Sequence, residues 1–242
     1  MNLILILIII ASLGPIVGSL AGVLKKPSNV FMFNMLSFAA GVMLSISFLE
    51  LVPESIQFSS IWICILGLTS GAVVMYILDR TIPHLHPSLN AQEQGCNLRR
   101  TATYVLLGIF MHNFPEGMAI AVGLTSDVKM SVIVALAIMI HDIPEGICTA
   151  APYYYCTKKK LKSFLVSAST AIPTIMGILV FYYLSKYIPL WGVGFLIAAT
   201  AGLMIYISAD ELIPTSCSKL TQHSTIFSLI GGVLLVLVLK TL

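Results

Sequence analysis

Charge is what this chain has least of. Asp, Glu, Lys and Arg make up 10% of its 242 residues, hydrophobic residues make up 58%, and the mean hydropathy is +0.98. A soluble domain usually carries about a quarter charged residues. The scarcity therefore excludes a soluble fold, and a net charge of +3 offers no basic stripe to nucleic acid. Strict apolar/polar alternation is missing as well, which excludes a membrane barrel and leaves helices. Cysteine is sparse. Cys64, Cys96, Cys148, Cys156 and Cys217 form no CxxC pair and no even-numbered framework, so they read as small packing residues. Cys148, three after Glu145 on one helix, is the marginal exception, a weak candidate ligand.

What is present is a series of apolar runs, each of the roughly 20 residues that a helix needs to cross the hydrocarbon layer. Eight are read: 2–24, 30–52, 58–78, 101–125, 130–155, 163–185, 190–213 and 223–241. The fold class is thus all-α, a polytopic membrane protein of eight transmembrane helices forming one domain over 1–242, with a polar loop at about 80–100. The first run lacks a basic n-region and is too long for a signal peptide, so it is expected to stay in the mature chain. Connections 1-2, 3-4, 5-6 and 7-8 hold Lys25, Lys26, Arg80, Arg99, Arg100, Lys158, Lys159, Lys160, Lys162 and Lys219, whereas the opposite side holds Lys129, Lys186 and Lys240. Ten against three places the basic loops in the cytosol and both termini outside it. The membrane is a plasma or bacterial inner membrane.

Two repeats stand out. "GVMLSISFLELVPES" (41–55) returns as "GLMIYISADELIPTS" (202–216) at an offset of 161, in spans expected to run in opposite directions. That pattern predicts an inverted repeat, spans 1–3 related to 6–8 around a 4/5 hairpin, an architecture common in secondary transporters. The second repeat is chemical: "HNFPEG" (112–117) returns 29 positions later as "HDIPEG" (141–146), in spans 4 and 5. Gly14, Gly18 and Gly22, spaced by four in span 1, read as a close helix contact. His84 and His86 in the 80–100 loop are weak candidates for loop metal capture, because exposed histidines beside prolines are usually just solvated.

His112 and His141 each lie eleven residues into a span, roughly 15–18 Å deep and near the bilayer centre. In each copy the glutamate is four residues on, so His112 stacks over Glu116 and His141 over Glu145 on one helix face. Reflection about a turn at 125–130 brings Glu116 level with His141 and His112 level with Glu145, with Asn113 and Asp142 one residue further on. Ionised Glu116, Asp142 and Glu145 would each cost on the order of 3 kcal/mol at mid-membrane. No span carries Lys or Arg at that depth, so the compensating charge must be a proton or a cation. Imidazole with carboxylate favours zinc and other first-row divalent ions. Pro115 and Pro144 are expected to free the carbonyls of Met111 and Ile140 as further oxygen ligands. Glu50, Asp210 and Glu211, near span ends, read as entrance or exit ligands for the cation.

"HNFPEGMAIAVG" with "HDIPEG" in adjacent helices resembles the ZIP (Zrt/Irt-like) divalent metal transporters, in particular the ZupT/GufA-type branch. "FAAGVMLSISFLELVPES" and "AGLMIYISADELIPTS" are similar to that branch's second and seventh helices. The resemblance covers nearly the whole chain. It implies eight helices with extracellular termini, a metal site between helices 4 and 5, and movement of Zn, and often Fe, Mn, Co or Cd, toward the cytosol. Carried onto this chain, it makes His112, Asn113, Glu116, His141, Asp142 and Glu145 the ligands. Two departures alter the expectation. Asp142 stands where the branch usually has Asn, and Ile172 precedes Pro173 where the family commonly has a glutamate that serves a second metal. The expected outcome is one strong metal position and a weaker second one centred on Asp142.

The function read from the sequence is therefore a divalent cation transporter, zinc first, with no enzymatic activity and no resident cofactor. Its partners are metal ions and the lipid bilayer, and the sequence leaves open whether it pairs as a homodimer. Two rival readings are a proton-coupled carrier of an organic solute and an intramembrane zinc hydrolase. The hydrolase needs a base beside a ligand, as HExxH supplies, whereas both histidines here are followed by Asn or Asp.

Overall fold

The computed structural model describes residues 2–25, 27–81, 113–125, 127–217 and 222–241, and among them there is no strand. The helices are α1 (Asn2–Leu24), α2 (Asn29–Ile46), α3 (Val52–Phe58), α4 (Ile61–Thr81), α5 (113–122), α6 (Val128–Thr157), α7 (Lys160–Ala168), α8 (Ala171–Leu184), α9 (Leu190–Ile207), α10 (Ile213–Ser216) and α11 (Gln222–Leu239). Among the described residues six stretches are long and apolar enough to cross a membrane: Leu3–Leu24, Asn29–Phe58, Ile61–Arg80, Val128–Ala151, Lys160–Leu184 and Leu190–Ser216, with His223–Leu239 a shorter one. Most of the expected fourth span, with His112, Met111 and the loop histidines His84 and His86, lies outside the described residues.

Proline decides where the helices depart from the expected boundaries. The second span continues past 52 to Phe58, because α2 passes through a π-helical turn at Ser47–Leu51 into α3. Pro53 has no N–H to give the Leu49 carbonyl, and the extra residue of the π turn absorbs the mismatch as Val52 N bonds Ser47 O. The same turn recurs at Ser208–Leu212 ahead of Pro214, where Ile213 N bonds Ser208 O. Glu50 and Glu211 thus lie within continuous helices and not at their ends. In the sixth span, Pro173 breaks the helix at Ser169–Thr170, and tightened bonds from Thr170 N to Ser167 O and from Ile172 N to Ser169 O bridge α7 to α8. By contrast α6 runs unbroken through Pro144.

Glycine sets which helices touch. α1 lies along α6, where a Cβ on Gly18 would come within 2.9 Å of the Ile143 carbonyl carbon and one on Gly146 within 2.8 Å of Pro15 O. α5 meets α8 the same way, Gly177 against Phe114 O and Gly117 against Thr174 O. Spans 1, 4, 5 and 6 therefore form one group. A second group pairs α4 with α9 and α11 with α2, and α2 packed on α6 joins the two. Within the second group two glycine contacts are each made twice. Gly41 meets Leu229 O as Gly202 meets Leu68 O, and Gly71 meets Ala199 O as Gly232 meets Phe38 O. Every one of these residues maps onto its counterpart by the offset of 161 read from the sequence.

Candidate metal site

The site begins at the α5–α6 turn. Asp127 caps α6 by accepting from Lys129 N at 2.9 Å, Gly123 leaves room for Ser131, and Ser131 Oγ donates to Ile120 O at 2.7 Å. These contacts hold α5 and α6 side by side in one register. Further along, Glu116 of α5 and His141 and Asp142 of α6 converge with all three side chains fully buried. Their ligand atoms lie within 4.8 Å of one another. His141 Nε2 stands 2.9 Å from Glu116 Oε1 and 3.4 Å from Asp142 Oδ1.

Hydrogen bonding states what this cluster needs. His141 Nδ1 is 3.1 Å from Ala137 O, and a carbonyl only accepts, so Nδ1 carries a hydrogen and Nε2 is the nitrogen turned to the carboxylates. A ring nitrogen and a carboxylate oxygen 2.9 Å apart hold a proton between them, or a metal ion in its place. Glu116 and Asp142 meet no Lys or Arg at ion-pair distance among the described residues. Glu116 Oε2 and both Asp142 carboxylate oxygens are buried without a hydrogen-bond partner there. Zinc bound tetrahedrally at about 2.0–2.1 Å holds its donor atoms roughly 3.3 Å apart, between the two separations found here. The donor set fits such an ion.

Of the other expected ligands, Asn113 is buried, with Nδ2 donating to Thr170 O at 2.9 Å and Oδ1 left unpartnered. Glu145 is half-buried one turn beyond His141 and does not enter the three-residue cluster, nor does the half-buried thiol of Cys148. Ile172 is 55% exposed. Glu50 is paired with Lys240, Nζ to Oε1 3.1 Å, and the same ammonium donates to Leu49 O, the carbonyl that Pro53 leaves unused, at 3.0 Å. Asp210 is exposed and Glu211 half-buried in the other π turn. Two features were missed from sequence: the Lys240–Glu50 pair, which joins residues 190 positions apart, and Thr174, buried with an unpartnered hydroxyl. The threonine pair at 170 and 174, one turn apart around Pro173, was the available signal for the second.

An imidazole and two carboxylates gathered inside a bundle of apolar helices, with no lysine or arginine beside them among the described residues, are the chemistry expected of a membrane protein of the cation-binding class. Comparison with known proteins narrows the class. Residues 86–240 match the family model described as ZIP zinc transporter. The chain is 36% identical over 223 residues to the zinc transporter ZupT of Enterobacter sp. (strain 638). It is 38% identical over the same length to the zinc transporter ZupT of Escherichia coli O127:H6 (strain E2348/69 / EPEC), and both alignments cover 88% of this chain and 86% of the relative. The chain belongs to the ZIP family and is a multi-pass integral membrane protein.

Proposed function

We propose that this protein carries zinc across the membrane toward the cytosol, through a site between spans 4 and 5 built from Glu116, His141 and Asp142 and completed by His112, Asn113 and Glu145. One observation carries the reading: Nε2 of His141 lies 2.9 and 3.4 Å from carboxylate oxygens of Glu116 and Asp142, fully buried, with no lysine or arginine beside them among the described residues. Zinc is the cargo. Fe, Mn, Co and Cd are secondary substrates, each able to use imidazole and carboxylate ligands. The relatives named as zinc transporters support the choice of metal.

The chain has eight spans with both termini outside the cytosol, and its halves form an inverted repeat. Supporting the repeat are the twin π turns and the doubled glycine contacts, both at an offset of 161. The π-turn carboxylates Glu50, Asp210 and Glu211 stand beyond the site as waypoints, of which Glu50 is the weakest because Lys240 already holds it. Radioactive zinc flux into proteoliposomes, with competing metals, tests the whole reading. Saturable zinc entry that is lost in His141→Ala is expected, and wild-type vesicles no leakier to zinc than empty ones would reject it.

A further inference from the structure

Positive charge collects at one end of the helix group that holds the metal site. From Gly146 to Ala209 the chain has no Asp or Glu, yet it sets Lys158, Lys159, Lys160 and Lys162 within five positions where α6 turns into α7. All four are exposed. The turn is held by bonds of its own: Lys158, in the left-handed conformation at φ 55, gives its N–H to Tyr154 O at 2.8 Å, and Lys159 N donates to Thr157 Oγ1 at 3.3 Å. Ser163 Oγ closes it by donating to Lys159 O at 2.9 Å.

Hydroxyls fix the level of this turn against α1. Ser167 Oγ of α7 bonds Thr149 Oγ1 of α6, lies 2.7 Å from Ser19 Oγ of α1 and donates to Gly146 O at 3.1 Å. Because α1 runs toward the basic end and α7 away from it, six residues on from Ser19 and six back from Ser167 bring Lys25 level with Leu161. Apolar surface is offered at the same level. Leu161, between Lys160 and Lys162, is 70% exposed, Leu165 one turn deeper is 56% exposed, and Leu24, beside the exposed Lys25, is 67% exposed. Among the described residues Lys25, Lys159, Lys160 and Lys162 meet no carboxylate at ion-pair distance.

We propose that this end of the bundle binds an anionic phospholipid of the adjoining leaflet, its phosphate held by Lys25, Lys159, Lys160 and Lys162 and its acyl chains lying on Leu24, Leu161 and Leu165. Lysines just beyond a span attract anionic headgroups, and their long stems lie along apolar surface while the ammonium reaches the phosphate level. The leucines choose the partner. A free phosphate or an acidic peptide uses the ammonium groups alone, whereas a lipid covers ammonium and apolar surface together. With α7 packed on both α1 and α6, the lipid bridges three helices of the group that carries His141 and Asp142. The inference needs the membrane character of the chain and not the identity of its cargo.

The test is native mass spectrometry of the full chain in neutral detergent, with phosphatidylglycerol and phosphatidylcholine of matched acyl chains as probes. Wild type should bind phosphatidylglycerol far more tightly. A lysine near an anionic leaflet contributes about fivefold, so Lys159→Gln, Lys160→Gln and Lys162→Gln together should weaken phosphatidylglycerol by about a hundredfold and leave phosphatidylcholine unchanged. Arginine at the same three positions should keep the wild-type affinity. Leu161→Gln should weaken the lipid severalfold with every ammonium in place, and Lys186→Gln, at the opposite end of the bundle, should change nothing. Lys160→Gln alone, with about a fivefold loss, serves if the triple variant does not purify. Wild-type affinity in the glutamine variants overturns the proposal, as does equal binding of the two lipids. Displacement of the lipid by excess inorganic phosphate would assign the lysines to a free anion, and displacement by a glutamate-rich peptide to a protein partner; either result overturns it as well.

Discussion

Two acidic sites within the helices of this protein are neutralised in opposite ways. Glu50, in the π turn of the second span, faces the ammonium of Lys240 at 3.1 Å, and that lysine is 39% exposed against 11% for the glutamate. Among the described residues Glu116 and Asp142 have only a histidine, at zero exposure for all three. A carboxylate that carries its own ammonium has its charge balanced within the chain. Two carboxylates around one imidazole keep a deficit of positive charge that a proton or a divalent ion has to fill. What marks the proposed transport site among the described residues is thus the missing counter-charge and not the acid itself.

The comparison breaks most visibly if the buried cluster is emptied. His141→Ala combined with Glu116→Ala should bring zinc uptake in proteoliposomes to background, with the protein still monodisperse in detergent. Uptake surviving in that double variant would show that the cation takes another route. Asp142→Ala should act less severely, lowering the zinc bound per chain and slowing uptake while leaving the Glu116–His141 pair. Equilibrium dialysis with metal analysis reads the stoichiometry, and a count equal to wild type together with normal uptake would remove the second position.

Acid should separate the two sites next. Imidazole and carboxylate must be deprotonated to bind metal, and in water they titrate near about 6.5 and 4. Protons therefore compete with zinc increasingly as pH falls, so uptake should decline from pH 7.5 toward 5 and recover when pH is restored. A flat profile across that range contradicts an imidazole and carboxylate ligand set.

Much of this was legible in the sequence for a physical reason. Helical spacing is local, so the placing of Glu145 one turn from His141 and the small-residue stripe Gly14, Gly18, Gly22 follow from counting residues, and a short hairpin turn carries the counting across to α5. The meeting of Glu116 with His141 at 2.9 Å depends on little else. The repeat offset of 161 was readable too, because Gly, Pro and Glu recur at fixed steps. The π turns were not, since whether Pro53 ends a helix or is absorbed by one extra residue depends on what packs around it. Lys240 entered the sequence reading only as one of three basic residues on the side opposite the basic loops, and folding set α11 along α2 and brought it to Leu49 O.

The smallest expected effect sharpens the comparison from its other end. Lys240→Ala removes the ammonium from Glu50 and the donor from Leu49 O. The pair is partly exposed, so the loss should be about 0.2–1 kcal/mol, the range of solvent-screened ion pairs, visible as a slight fall in the thermal midpoint in detergent. Zinc uptake should stay at the wild-type level, because Glu50 satisfied by a lysine is not where the chain waits for a cation. Faster uptake would mean that Lys240 had been competing with zinc for Glu50. Lost uptake would mean that the π turn itself has to be held for transport. Either result puts Glu50 on the cation's path and dissolves the distinction between a neutralised acid and a waiting one.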